Sequence, residues 1–126
     1  MAKTNFSEIT PEIRKLSDLC FKNSHVDPSL YEKYDVKRGL RDLQGNGVLT
    51  GLTEISEIVS QTRDENGRSI PCRGKLYYRG YDIEEIVKGS IRNGYFCYEE
   101  AAYLLLFSEL PSMEQLKDFK KLLAHY

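Results

Sequence analysis

The chain has 126 residues, of which 40% are hydrophobic and 29% charged, with nine Tyr and five Phe. That is about one domain's length, enough to bury roughly two-thirds of the unfolded chain's surface, and too rich in apolar and aromatic residues for a disordered segment. Eighteen basic against nineteen acidic side chains leave a formal net charge of -1, which excludes a global field for recruiting nucleic acid or an anionic membrane, so any anion site must be local.

No run of about 18 apolar residues occurs, and the first ten residues, "MAKTNFSEIT", hold no apolar signal core. The expectation is a soluble, untargeted protein. Cys20, Cys72 and Cys97 are three in number, far apart, and in no Cys-x-x-Cys or Cys/His pattern, which argues against a disulfide framework or a zinc site. Reduced thiols packed in the fold suit a cytoplasmic protein.

The first helix is predicted from Thr10, as N-cap, with Pro11 at the first helical position and Ile13, Leu16, Leu19 and Cys20 on one face, ending near Asn23. Asp27-Pro28 signals a second helix of one or two turns, with Leu30, Tyr31 and Tyr34 as its apolar side. Next comes "KRGLRDLQGNGVLTG" from Lys37 to Gly51, with four glycines and three basic side chains in fifteen residues, too glycine-rich for a regular element. It completes neither of the named phosphate-loop motifs. Two readings stay open: a surface loop with solvated charges, or a local anion site held by Lys37, Arg38 and Arg41.

From Leu52 to Tyr78 a helical period (Leu52, Ile55, Ile58, Val59) competes with β-branched content and the turn "DENG" at Asp64 to Gly67. Strands are expected: a hairpin closed at Asn66-Gly67, a returning segment kept at an edge by Pro71, and a further short strand from Lys75 to Tyr78. Gly80 then lets the chain turn from strand into helix. Asp82 and Glu85 read as a capping box, Ile83, Ile86 and Val87 as the apolar stripe, and Gly89 as the stop. At the corner, Arg79 either pairs with a carboxylate or carbonyl or faces a ligand.

Tyr98, Ala101, Ala102, Leu105 and Leu106 define one broad face of the next helix, and the unbroken run Tyr103 to Phe107 implies burial on nearly all sides. After Pro111, Ser112 and Gln115 form a second capping box before Leu116, Phe119, Leu122 and Leu123. The fold class is thus mainly α with a small antiparallel β unit. The chain stops at Tyr126 with no terminating Gly, Pro or polar tail, and a segment of something longer is expected. Leu104, Leu105, Leu106 and Phe107 would then lack partners, which predicts self-association.

Catalytic candidates are few. Glu84-Glu85, Glu99-Glu100 and Glu114 lie at helix starts, where the helix dipole accounts for them, and adjacent glutamates diverge on a helix. Tyr77, Tyr78 and Tyr81 could stack nucleic-acid bases, but the balanced charge favours packing. His25 and His125, the only histidines, read as helix-end residues.

Three blocks carry a resemblance: "RGLRDLQGNGVLTGLTEIS" at Arg38 to Ser56, "GKLYYRGYDIEEIV" at Gly74 to Val87, and "EEAAYLLLFSELPSMEQLKDF" at Glu99 to Phe119. In this order and spacing they resemble the N-terminal part of citrate synthase, with Ser108 standing where that family usually has Gly. The resemblance implies residues 1–126 as the start of the large domain of a mainly helical homodimer, the rest of the large domain and the small domain being absent. It implies an acyltransferase that condenses acetyl-CoA with oxaloacetate, the two being substrates rather than tightly bound cofactors. The family's catalytic aspartate and histidines belong to later sequence. Neither His25 nor His125 has their setting, so no catalytic residue is assigned and the chain alone is expected to be inactive. The arginine aligned with Arg41 lies near the CoA phosphates in that family, which makes Arg41 the candidate CoA-binding residue, with a tie to Asp35 or Asp42 as the alternative. A 2-methylcitrate synthase and a free-standing helical interaction module are the other readings.

Overall fold

The structure, a computed structural model, describes residues 7–37, 39–40 and 48–126. Helix α1 spans Pro11–Asn23, and Thr10 Oγ1 accepts from the Ile13 amide at 3.3 Å, satisfying one of the four amides a helix start leaves open. Helix α2, Ser29–Lys33, is opened by Asp27, whose Oδ1 accepts from the Ser29 amide at 2.9 Å. Both follow from the local signals Thr-Pro and Asp-Pro. Tyr31 and Tyr34, expected on a packed side of α2, are half exposed.

Strands β1 (Ser56–Arg63) and β2 (Ser69–Tyr78) pair antiparallel around the expected turn. Asp64 fixes it: its amide donates to Arg68 O, its carboxylate accepts from the Asn66 and Arg68 amides, and Gly67 takes φ 76°. Lys75 to Tyr78 is not a separate strand but the end of β2. The register shifts between Val59, opposite Lys75, and Gln61, opposite Pro71, so the extra β2 residues form a bulge beside a proline that has no amide to give the ladder. Strand β3, Tyr81–Asp82, makes the sheet order β1-β2-β3 and pairs only with Tyr77 and Tyr78. Pro71 therefore lies in the middle strand, but in its half with a single neighbour.

The β2–β3 link is a two-residue turn with φ 49° at Arg79 and 85° at Gly80, the primed geometry that follows strand twist. Positive φ at a non-glycine residue is costly, and Arg79 has an evident compensation. Its Nε and Nη2 donate to Leu105 O at 3.2 and 3.0 Å, and its amide donates to Ile55 O. Of the two readings of Arg79, the structure has the one in which it holds a carbonyl.

Helix α3, Ile83–Asn93, starts at Asp82, whose side chain accepts from the Glu84 amide. The expected box with Glu85 is replaced, since Glu85 takes Lys88 Nζ at 2.8 Å. Gly89 does not stop the helix. Gly94 does, at φ 70°, because the left-handed residue is needed where the last carbonyls must be met.

Helices α4 (Tyr98–Phe107) and α5 (Met113–His125) complete the chain, the second opened by the expected Ser112–Gln115 capping box. The core sits where α1, α4 and α5 meet. Tyr103, Phe107 and Phe119 form a ring cluster with centroids 4.5, 5.4 and 5.9 Å apart, and Leu16, Leu19, Cys20 and Ala102 pack against it. The buried face of α4 is thus Tyr103, Leu104 and Phe107, whereas Tyr98 and Leu106 are 77% and 50% exposed. This corrects the face expected from spacing. Leu104 and Phe107 are already covered within the chain, so they do not supply the unpartnered surface expected of them.

At the end of α4, Ser108 takes φ 64°, the conformation glycine favours. Its hydroxyl donates to Asn23 O at 3.0 Å, and Asn23 Nδ2 donates to Phe107 O at 2.7 Å. Ser108→Ala keeps the backbone cost and loses the bond, so it should destabilise by about 0.5–1.5 kcal/mol. Ser108→Gly loses the same bond but relieves strain of about 1–2 kcal/mol. Urea unfolding followed by circular dichroism should therefore rank the Gly variant above the Ala variant.

Candidate functional site

Arg41, the candidate CoA-binding residue, lies outside the described residues, as do Arg38, Asp42, Gly45 and Gly47. What the structure does place are the ends of their loop. The Lys37 amide donates to Leu49 O at 2.6 Å and the Val48 amide to Leu40 O at 3.4 Å, so the chain leaves and returns at one point, between α2 and β1. The described ends of the loop are joined by backbone hydrogen bonds.

Of the three candidate cations, Lys37 is committed locally. Its ammonium pairs with Asp35, which itself takes φ 50°, and both side chains are largely exposed. An exposed pair of this kind contributes at most about 1 kcal/mol, so a stronger anion could displace Asp35. Asp35, one of the two carboxylates weighed as a tie for Arg41, takes Lys37; Arg41 itself lies outside the described residues.

The remaining candidates are held in structural roles. Glu84 takes Arg73 Nη2 at 2.9 Å and lies 3.8 Å from Lys88 Nζ. Lys88 has its pKa raised first by the hydrogen bond it donates to Glu85 and then by the charges of Glu85, Glu84 and Asp82. Glu99 lies 3.7 Å from Lys120, and Glu100 accepts from Tyr95 Oη at 3.0 Å. Burial and then this hydrogen bond push the Tyr95 hydroxyl up. Asp27 is held below the usual carboxylate range first by the Ser29 amide. The Asp27 shift comes from a turn at a helix start and the Lys88 shift from an ion pair, whereas that of Tyr95 comes first from burial.

His25 is exposed between α1 and α2, and His125 is exposed in the last turn of α5, its ring 5.5 Å from that of Tyr126. His25 acts electrostatically on the Asp27 carboxylate, which is itself engaged as the acceptor of the Ser29 amide. Tyr77 and Tyr78 are half-buried in β2 and Tyr81 is 42% exposed in β3, so they edge the sheet. Among the described residues, no three His, Cys, Asp or Glu side chains are grouped as metal ligands, and the three cysteines are free. No helix of the described residues is long and apolar enough to cross a membrane.

Tyr103 titrates in a way that can be measured. Burial, and then the negative charge of Glu109, push its hydroxyl above its ordinary value. The fold prefers the neutral phenol, so this contribution is fully present below the unfolded value of about 10 and is lost as pH rises through the raised folded value. Urea unfolding across alkaline pH should show stability falling above about pH 10, with a shallower fall in Tyr103→Phe. Equal slopes would place the alkaline loss on other groups.

A family model described as "Citrate synthase, C-terminal domain" matches residues 42–126. The chain is 36% identical over 84 residues to 2-methylcitrate synthase 1 of Corynebacterium glutamicum, covering 67% of this chain and 16% of that protein. It is 44% identical over 48 residues to the citrate synthase of Saccharolobus solfataricus, covering 38% of this chain and 11% of that protein. The chain thus spans only a small part of the length of the curated relatives it matches. No solved structure matches it.

Proposed function

We propose, from the premise that this chain belongs to the citrate synthase family, that it is the opening segment of the large domain of a cytoplasmic, homodimeric acyltransferase that condenses acetyl-CoA with oxaloacetate. The observation that carries this reading is the family match over residues 42–126, within which two of the three resembling blocks lie entirely. The placement at the start of the large domain rests on the order of those blocks and not on the description of the matched model. Free thiols at Cys20, Cys72 and Cys97 suit a reducing compartment.

In this reading the segment is scaffold together with a share of the CoA site. Carbon–carbon bond formation needs a base to make the nucleophilic carbon and donors where oxyanion charge develops, and the family residues that supply them belong to sequence downstream of the three resembling blocks. The chain alone therefore releases no CoA from acetyl-CoA and oxaloacetate. Turnover by the rigorously purified chain above the uncatalysed rate would overturn this.

A second reading is 2-methylcitrate synthase, favoured by the name of the relative with the longer matched stretch. Assays of the full-length enzyme with acetyl-CoA and propionyl-CoA separate the two. A free-standing helical interaction module of the same fold has no observation in its favour.

Arg41 stands one residue before the matched stretch. Its case as a CoA-phosphate ligand is chemical: a guanidinium binds phosphate through two parallel N–H bonds, and the glycines of its loop allow close backbone approach. In the full-length enzyme, Arg41→Ala should raise the KM for acetyl-CoA by the worth of a charge-assisted bond, about 1.5–3 kcal/mol and so at least about tenfold, with the KM for oxaloacetate little changed. An unchanged acetyl-CoA KM with a lowered melting temperature would make the arginine structural.

A further inference from the structure

We propose that Asn66-Gly67, at the tip of the β1–β2 hairpin, is a site of spontaneous deamidation that reacts only when the turn around it opens. The chemistry needs only the chain and water. The Gly67 nitrogen, on losing its proton to solvent base, attacks the Asn66 carboxamide carbon and expels ammonia, closing a five-membered succinimide. Water then adds to either ring carbonyl and opens the ring, leaving aspartate or isoaspartate. Glycine is the least hindered residue to supply the attacking nitrogen, and the turn itself demands one there. Gly67 takes φ 76°, where a side chain is strained although nothing lies within 4 Å of a Cβ.

Two features set the rate in opposite directions. The attacking Gly67 amide donates to Asp64 O at 2.9 Å, inside a turn that the Asp64 carboxylate ties further to the Asn66 and Arg68 amides. Attack must wait for those bonds to break. Opening is local, however, because every residue from Ser60 to Pro71 other than Asp64 is exposed, so little burial is lost with it. The Asn66 carboxamide itself has no partner among the described residues. Asn93-Gly94, at the end of α3, is held at both reacting groups: the Gly94 amide bonds to the Ser90 and Ile91 carbonyls, and Asn93 Nδ2 donates to Gly89 O at 2.8 Å. Asn66 is therefore the first of the two to react. Isoaspartate at this position adds one backbone carbon between Asp64 O and the Gly67 amide, so the modified chain does not close the same turn. The site is independent of the enzymatic reading.

The chain is incubated in neutral buffer beside a blocked peptide of residues 62–70, and deamidation is followed by mass spectrometry of tryptic peptides, which separate Asn66 from Asn46 and Asn93. Asn66 should react before Asn93, and at least about tenfold more slowly in the chain than in the peptide. Hydrogen exchange of the Gly67 amide needs the same opening, so its protection in the chain should match that slowing within about threefold. Asp64→Ala removes two bonds from an exposed turn and keeps the Asn-Gly step, and its rate should move toward that of the peptide. Asp64→Asn, which keeps an acceptor oxygen, should stay near the parent. Reaction of Asn93 first, equal rates in chain and peptide, a Gly67 protection that differs from the slowing by more than about tenfold, or no acceleration in Asp64→Ala would each overturn the proposal.

Discussion

Helix α4 carries its ring cluster at the centre of the fold, and the other layers are arranged around that burial. Tyr103, Phe107 and Phe119 meet in tilted and edge-on geometry, in which each ring pair adds about 0.5–1.5 kcal/mol beyond the area it removes from water. With two of the three rings on one helix and the third on α5, docking α5 on α4 is the same event as forming the core. The sheet then joins α4 through the Arg79 guanidinium on the Leu105 carbonyl and α3 through Arg73 and Glu84. The Arg79 bond reaches a helical carbonyl from a turn that would otherwise be unfavourable, so the helical body and the β unit hold one another in shape.

Sequence reading succeeded where the cause is local. Thr10-Pro11, Asp27-Pro28 and Ser112-x-x-Gln115 place their own caps within three residues, and the structure starts α1, α2 and α5 there. The Asp64 turn is legible for the same reason. It failed where the cause is distant. Arg79-Gly80 does not read as a primed turn, because arginine tolerates positive φ there only through a partner 26 residues away. Gly89 looks like a stop and Gly94 is one, since a glycine inside a helix costs only about 1 kcal/mol and it is Gly94 that takes the left-handed cap, its amide bonded to the Ile91 and Ser90 carbonyls. The buried face of α4 was misplaced because a continuous apolar run has no periodicity to betray its inner side.

The candidate site divides along the same line. The glycine and arginine content of the Lys37 to Gly51 loop was visible in the sequence, and so was the prospect of a local ion pair. That Lys37 would be the residue to take Asp35 was not, since neighbouring cations in a loop compete for a carboxylate on geometry alone. Arg41 rests on the resemblance and on guanidinium chemistry.

The reciprocal bonds between Asn23 and the end of α4 bear on where this folding unit begins. The family match starts at residue 42, which by sequence would set α1 aside as a variable leader. Yet Asn23 and Ser108 exchange hydrogen bonds across 84 and 85 positions, and Leu16, Leu19 and Cys20 of α1 lie on the ring cluster. The boundary of homology and the boundary of cooperativity are therefore different lines on this chain. A substitution at Asn23, Leu16 or Leu19 would thus be felt in the core although it lies outside the matched stretch.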